Sequence, residues 1–291
     1  MRTKLHTSLR SGAVVLALAL LPLEGKVAGG QPARSGPQAG ISLAPSVVMV
    51  TGQPGQAFRH TLRLTNHTTR ELAFRLEAQD VVAEAGRRVF VDAGERADSI
   101  ARTAVFSPKE LVIAPSGVGV AEITLTVPSA TAVRGVAAIF RGQTVVGRQD
   151  GIAMTASLGS LITFRLSNEV RLDATTVEVA PQSDTNNLVV TEWVSNIGAE
   201  PVVAGGAVAV VNDAGALVGR VAVEPQRLMP GERLAFKADY PTLLGPGRYR
   251  ALLSLEYDDH ERKVLTRTAD FVVPALRDDQ HDADRGADLR R

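Results

Sequence analysis

The chain has 291 residues, enough for one large domain or two of ordinary size, and 45% of them are hydrophobic, which is sufficient for a packed core. The 32 basic and 31 acidic residues give a formal charge of +1, so the basic surface that nucleic acid requires is not expected. The chain has no cysteine, which excludes thiol nucleophiles, disulfides, thiolate metal sites and lipid attachment through an N-terminal cysteine.

Residues 1–33 are typical of an export signal and a leader. A basic start precedes the apolar run of residues 12–23, and small residues follow at 28–30. We therefore expect export by an N-terminal signal peptide to the periplasm or another extracytoplasmic compartment. Pro22 and Glu24 end the run short of the about 20 apolar residues of a membrane span, so we favour cleavage over an uncleaved anchor. The mature chain is expected to have no integral membrane span.

From Ile41 onward, apolar and polar residues alternate in short segments separated by Gly, Pro, Asn or Asp, which predicts strands with one buried face. The best helical candidate is a short, polar turn within residues 93–104. The side chains predicted to face inward lie on three segments: Phe58, Leu62 and Leu64; Leu72, Phe74 and Leu76; and Val120, Ile123, Leu125 and Val127.

The pattern predicts an all-β chain of two tandem immunoglobulin-like β-sandwich domains, at residues 41–168 and 169–275. Each has roughly seven strand candidates, and the first candidate covers residues 41–50. The short junction at 167–169 predicts a stiff relation between the two sandwiches. The charged residues 276–291 have almost nothing to bury, and we expect a disordered C-terminal tail.

Three segments of the first domain carry a resemblance to a known family. They are ISLAPSVVMVTGQPGQAFRHTLRLTNHT, SPKELVIAPSGVGVAEITLTVP, and RGVAAIFRG followed by GIAMTASLGSLITFRL. Their order resembles the N-terminal domain of PapD-like periplasmic chaperones, and it is similar to peptidoglycan-associated proteins that partner WxL surface proteins. The second domain resembles general bacterial immunoglobulin-like domains.

One feature of the family is missing from the sequence. Pilus chaperones hold the C-terminal carboxylate of a subunit with an Arg on the first strand and a Lys on the last, through charge-assisted hydrogen bonds. The resemblance places these positions at Val47 and near Ile162, and neither residue is basic. Arg165 is close, but a shift along a strand changes its face or its reach. We therefore expect this carboxylate anchor to be absent.

The candidate partner-binding residues lie in the uncharged stretch before the last strand of the first domain. They are Ile152, Met154, Ala156 and Leu158, which alternate with small or polar residues. If this strand has an open edge, a partner segment could pair with it. The alternative, which we favour for these four side chains, is that they face the core of the domain.

Other motifs have an alternative explanation in the fold. Tyr249 could form a tyrosine corner or be an ordinary half-buried residue, and Trp193 is expected in the core in preference to a ligand platform. Residues 257–261 could hold a metal or simply form a polar hairpin turn. Residues 66–68 match a glycosylation acceptor by letter, but a turn explains them as well. No catalytic residue, metal site or cofactor is expected.

These observations predict a non-enzymatic periplasmic or cell-envelope factor, chaperone-like or scaffold, that binds proteins by strand-edge or sandwich-face docking. The expected partner is a secreted or envelope polypeptide, such as a pilin-like or surface subunit. The alternative is a structural spacer associated with the cell surface or cell wall, and an envelope hydrolase is a third interpretation.

Overall fold

The computed structural model describes residues 40–143, 147–149, 152–154, 157–181, 187–241, 244–257 and 262–274, with the backbone alone at 147–149 and 152–154. The expected signal peptide with its leader and the expected tail lie outside the described residues. Within those ranges, no helix has the length and apolar character needed to cross a membrane.

The described residues form twenty strands, and their only helical segment is a 3-10 turn at Ala101–Thr103. The N-terminal strands are β1 Ile41–Ala44, β2 Val47–Thr51, β3 Ala57–Asn66, β4 Leu72–Glu84, β5 Arg87–Asp92, β6 Val105–Ser107, β7 Glu110–Ile113, β8 Val118–Thr126, β9 Gly135–Gly142, β10 Gly147–Gln149, β11 Ile152–Met154 and β12 Ser157–Arg165. The C-terminal strands are β13 Leu172–Ala174, β14 Glu178–Pro181, β15 Asn187–Asn196, β16 Val202–Asn212, β17 Leu217–Leu228, β18 Arg233–Pro241, β19 Gly247–Tyr257 and β20 Lys263–Val273.

The N-terminal strands form a first sandwich of two sheets. One sheet has the order β1-β3-β8-β6, the other has the order β2-β12-β9-β4-β5 with β7 also paired to β4, and β10 pairs with β11. An aliphatic and aromatic core lies between the two sheets. Two predicted inward faces are confirmed, because Phe58 packs against this core and the other five residues are buried in it: Leu62, Leu64, Leu72, Phe74 and Leu76.

The prediction for β8 was wrong at one residue. Val120 is 47% exposed, whereas Ala121 and Ile123 are fully buried. Successive side chains of a strand point to opposite faces, so Val120 cannot share a face with Ile123, three residues later. The small Ala121 takes the inward position, and the valine faces solvent.

The first strand candidate is also corrected, because residues 41–50 are two strands that belong to different sheets. β1 pairs antiparallel with β3 in one sheet, and β2 pairs parallel with β12 in the other. Pro45 lies between them, and proline has no N–H with which to continue a ladder. The chain therefore crosses from one sheet of the sandwich to the other at this point.

The C-terminal strands form the second sandwich. In one sheet β15 pairs with β13 and β14 on one side and with β18 on the other, and the facing sheet has the order β17-β16-β19-β20. A second, separate core lies between these sheets. The predicted fold class, all-β with immunoglobulin-like sandwiches, is confirmed.

The interior of the second sandwich departs from the prediction at β15. Trp193, expected in the core, is 41% exposed, and the guanidinium of Arg233 lies 5.1 Å from its ring centre. The preceding Glu192 is fully buried instead. Strand alternation explains the exchange, because Glu192 has the same parity as the buried Val190 and Val194.

Each sandwich contains a buried asparagine in the same structural role. Asn66, the last residue of β3, donates its amide to the carbonyl of Arg70 at 2.7 Å and to two carbonyls before β8. Asn196, the last residue of β15, donates to the carbonyl of Glu200 at 2.8 Å and to the last carbonyl of β17. Both side chains are fully buried. Asn66, which matches a glycosylation acceptor by letter, therefore belongs to a turn.

Side chains of both sandwiches meet around Glu200. Its carboxylate accepts two bonds of 3.1 Å from Nε of Arg134 in the first sandwich. It also accepts bonds from the N–H of Leu166 and the hydroxyl of Ser167, just after β12. Glu200 is fully buried. This carboxylate therefore connects the second sandwich to both the first sandwich and the intervening segment.

A small apolar cluster lies beside this connection. Met229, from the second sandwich, packs with Val81 and Ala137 on the outer face of the sheet that contains β12. Gly135 leaves room for it, because a Cβ there would lie 2.7 Å from the Met229 methyl group. Ile139 and Leu161 on the same face pack against this cluster and are only partly buried. The second sandwich therefore covers the part of the outer face where Met229 lies.

Candidate functional site

Among the strands that the structure describes, none borders the N-terminal half of β12 on the β2 side, and we call this side its open edge. β12 pairs with β9 from Ser157 to Thr163, but its pairing with β2 begins only at Leu161, whose N–H donates to the carbonyl of Ser46. Backbone groups of a strand alternate in direction, so Ser157 and Gly159 point to the same side as Leu161. Along the ladder, Ser157 and Gly159 lie beyond the end at which β2 begins. Within the described residues, no strand pairs with them on that side.

Of the four candidate partner-binding residues, only one has a described side chain. Leu158 is half-buried and packs against the core of the first sandwich, which fits the core alternative. Ile152 and Met154 lie on β11, whose backbone pairs with β10, but their side chains lie outside the described residues, as does Ala156. Their part in binding stays a prediction.

An apolar strip adjoins the open edge on the outer face of the sheet. Val47 lies beside Leu161 in the register of β2 and β12, and Gly159 lies beside Ile139 in the register of β12 and β9. Val47 is 45% exposed, and Leu161 and Ile139 are half-buried. These residues point away from the core of the first sandwich, and Ile139 and Leu161 pack in part against the Met229 cluster. The exposed part of the strip offers an apolar contact to a chain lying along the edge.

The strip ends in a cleft of about 400 Å³ between the two sandwiches. Two arginines from different sandwiches reach it, Arg88 on β5 and Arg227 on β17. The residues that line the cleft are Val47, Arg88, Leu161, Gln226, Arg227, Glu232 and Leu234.

The two arginines have different partners. Arg88 Nη2 donates to the buried carboxylate of Glu232 at 2.8 Å and to the carbonyl of Arg227 at 3.0 Å. Arg227 Nη1 donates to the hydroxyl of Thr163 at 3.0 Å. In the described part of the chain, Arg227 forms no ion pair, and the Nε of Arg88 is buried without a partner. The cleft therefore holds two cations and a single carboxylate.

The electrostatics of the cleft favour an anion. Burial, and then the charge of Arg88, lower the pKa of Arg227, so both disfavour its positive charge. A carboxylate placed beside Arg227 would form charge-assisted hydrogen bonds in a partly water-excluded site.

The basic groups of this cleft are not those that the family resemblance indicated. Val47 lies in the cleft but is not basic, and Ile162 is buried in the core. Arg88 and Arg227 are 139 residues apart in sequence, and the fold alone brings them together. No motif in the sequence marks either residue, so sequence reasoning missed both.

The other candidates from the sequence have structural roles or lie outside the described residues. Tyr249 donates its hydroxyl to the carbonyl of Gly245 at 2.9 Å, which is the bond of a tyrosine corner. Residues 258–261 of the acidic turn lie outside the described residues. Among those that are described, no group of three or more His, Asp or Glu residues could hold a metal ion.

Comparison with known proteins gives a likeness of fold. No protein-family model and no curated protein matches the chain. The chain is similar to the solved structure of a chaperone–tip adhesin complex of CFA/I fimbriae biogenesis, at 12% identity and a TM-score of 0.41, over 81% of this chain and 100% of that chain. It is also similar to the CupB2 chaperone of Pseudomonas aeruginosa, at 14% identity and a TM-score of 0.38, over 78% and 98% of the two chains.

A third similar structure is the CsuC–CsuE chaperone–tip adhesion subunit complex of Acinetobacter baumannii, at 8% identity and a TM-score of 0.42, over 79% and 98% of the two chains. At such identities and TM-scores, these likenesses carry no information on function or on the residues of a site.

Proposed function

We propose that the protein is a non-enzymatic, chaperone-like factor that binds an extended segment of another polypeptide along the open edge of β12. The observation that supports it is the backbone of Ser157 and Gly159, which no strand of the described residues pairs on the β2 side, beside the apolar strip of Val47, Leu161 and Ile139. Added strands gain affinity from main-chain hydrogen bonds and specificity from side-chain contacts, and this surface offers both.

The cleft arginines give the bound segment a direction. A segment that pairs with Ser157 and Gly159 occupies the line of β2 and meets the start of β2 at Val47. If it runs parallel to β12, its C-terminus points into the cleft, where Arg227 can pair with a terminal carboxylate. An antiparallel segment would bring a positive N-terminus to two arginines. The charge of the cleft therefore favours a parallel segment with a free C-terminal carboxylate.

The partner and the location belong to the same proposal. We infer a secreted or envelope polypeptide as partner, with a pilin-like or surface subunit as the expected class, and action in the periplasm or another extracytoplasmic compartment. A chaperone of this kind would cover an apolar segment of its client until the client finds its final neighbour.

A peptide of defined sequence tests the edge and the cleft together. The probe has two N-terminal lysines and a fluorophore, then eight alternating valine and serine residues, and it is made with a C-terminal carboxylate or with an amide. We expect the purified protein to bind the carboxylate form about tenfold more tightly than the amide, since a hydrogen bond to a charged group contributes about 1.5–3 kcal/mol. Fluorescence anisotropy measures both affinities.

Two variants separate the edge from the cleft. Gly159→Pro removes an outward N–H but none of the bonds to β9, and it should weaken both peptides about tenfold or more. Gly159→Ala is its control, because the nearest atom to an added Cβ is 3.8 Å away and the N–H remains. Arg227→Gln should abolish the preference for the carboxylate. Equal binding by wild type and Gly159→Pro would refute the edge as the binding site.

The second candidate function is a structural spacer of the cell surface. The bonds of Glu200 to Arg134, Leu166 and Ser167 favour it, because they hold the two sandwiches together. Co-sedimentation of the protein with purified cell-wall sacculi, together with no binding of either peptide, would support the spacer over the chaperone-like factor.

A further inference from the structure

A carboxyl group is buried in the core of the second sandwich. Glu192 is fully buried on the inner face of β15, between Val190 and Val194 and directly opposite Phe236 on β18. Within the part of the chain that the structure describes, neither of its carboxyl oxygens has a hydrogen-bond partner. A buried charge without a partner is costly, so this geometry favours a protonated, neutral carboxyl group.

One cation faces this carboxyl group from the opposite sheet. Arg267 lies on the edge strand β20, with the same parity as the inward-facing Leu265 and Ala269. Its guanidinium lies at the surface instead, where it donates to the carbonyl of Thr266 at 3.1 Å and lies 3.8 Å from the exposed carboxylate of Asp173 on β13.

The other elements around Glu192 contribute no charge to the core. The residues of β18, β19 and the segment between β13 and β14 that pack in this core carry no charge: Phe236, Ala238 and Tyr240; Tyr249, Leu253, Leu255 and Tyr257; and Val177. Among the described residues, Arg267 and Asp173 are therefore the charged groups to which the Glu192 carboxyl group can respond.

We propose that Glu192, Arg267 and Asp173 form a proton-controlled switch on the side of the second sandwich. While Glu192 is protonated, Arg267 stays at the surface beside Asp173. When Glu192 loses its proton, the guanidinium turns inward from β20, pairs with the Glu192 carboxylate and leaves Asp173. The switch joins the central strand β15 to the edge strand β20 when Glu192 is deprotonated, and it releases β20 when Glu192 is protonated.

The pH range of the switch follows from the surroundings of Glu192. Burial raises the pKa of Glu192 to about 7, against a smaller opposing effect of Arg267. The unfolded chain titrates near the ordinary value of 4.5. Between these two values the folded protein binds one proton more than the unfolded chain, so stability falls as the pH rises from about 4.5 to about 7. Above that range, the loss is complete.

Carbon-13 and nitrogen-15 NMR titration of the full protein reads the switch directly. We expect the Glu192 carboxyl signal to titrate with a midpoint near 7 and the Arg267 side-chain signal to move with the same midpoint. In Glu192→Gln the Arg267 signal should no longer move. Without a guanidinium to pair with the carboxylate, Arg267→Gln should raise the Glu192 midpoint by about one pH unit.

Denaturant midpoints against pH give an independent measurement. In the wild type the denaturant midpoint should fall between pH 5 and pH 7.5. This fall should be absent in Glu192→Gln and steeper in Arg267→Gln. Arg267→Lys keeps the charge and serves if Arg267→Gln does not fold, because it should restore much of the wild-type profile. A Glu192 signal that titrates near 4.5, or an Arg267 signal that does not respond to it, would overturn the switch.

Discussion

Replacing Glu200 with alanine is expected to lower the free energy of unfolding by about 3–5 kcal/mol and to loosen the second sandwich from the first. Removal of this carboxylate leaves the guanidinium of Arg134, only 12% exposed, without its partner. It also leaves the N–H of Leu166 and the hydroxyl of Ser167 without their acceptor. Urea unfolding measures the loss, and small-angle X-ray scattering reports any change in the arrangement of the sandwiches.

An exposed ion pair of the same type provides the control. Glu77 accepts a hydrogen bond from Arg141 at 3.1 Å, the same distance as in the Arg134–Glu200 pair. Unlike that pair, both Glu77 and Arg141 have side chains in contact with solvent. Glu77→Ala should therefore cost at most about 1 kcal/mol. Equal losses from Glu77→Ala and Glu200→Ala, with unchanged scattering, would show that the buried connection does not hold the sandwiches together.

Replacing Asn196 with alanine should destabilise the protein by about 2–4 kcal/mol, through unsatisfied polar groups rather than lost apolar contact. The substitution removes the side-chain donor from two buried carbonyls, those of Glu200 and Leu228. It also removes one of the two acceptors of the Gly198 N–H, which keeps the carbonyl of Arg171 at 3.1 Å. Glu200 lies in the turn that the Asn196 side chain closes. We therefore expect limited proteolysis near residues 196–200 to increase as well.

Two further variants identify the cause of this loss. Asn196→Asp keeps the acceptor for Gly198 but removes both donors, so it should be nearly as damaging as Asn196→Ala. Asn212→Ala removes a single bond, from the N–H of Ala216, in an exposed turn, and should cost at most about 1 kcal/mol. A stable Asn196→Asp protein would show that the donated bonds are not what holds this corner.

Alternation along the strands predicted much of the first sandwich, because each residue's neighbours two positions away decide its face. It succeeded at Leu62 and Phe74 and failed at Val120, where hydrophobicity was given more weight than parity. The same error placed Trp193 in the core, although the parity of Val190 and Val194 selects Glu192. Within a strand, the face on which a residue lies decides its burial, so residue type alone predicts burial poorly.

The candidate site was less accessible to sequence reasoning. The uncharged stretch around Leu158 directed attention to β12, but the open edge of that strand depends on where β2 begins, which is a property of the sheet. Arg88 and Arg227 come from strands of different sandwiches, and no periodicity connects residues at that separation. A site assembled from distant strands is visible only when the sheets are in place.

The crossing of the chain at Pro45 has a mechanical consequence. β2 runs parallel to β12, so the start of β2 and the end of β12 lie at opposite ends of their shared ladder. A pulling force applied between Pro45, just before the start of β2, and the segment after β12 therefore acts along this ladder and shears it. All of its hydrogen bonds bear the load together, instead of opening one after another from a free end. The first sandwich is thus built to resist tension along the chain at the strand that borders the open edge.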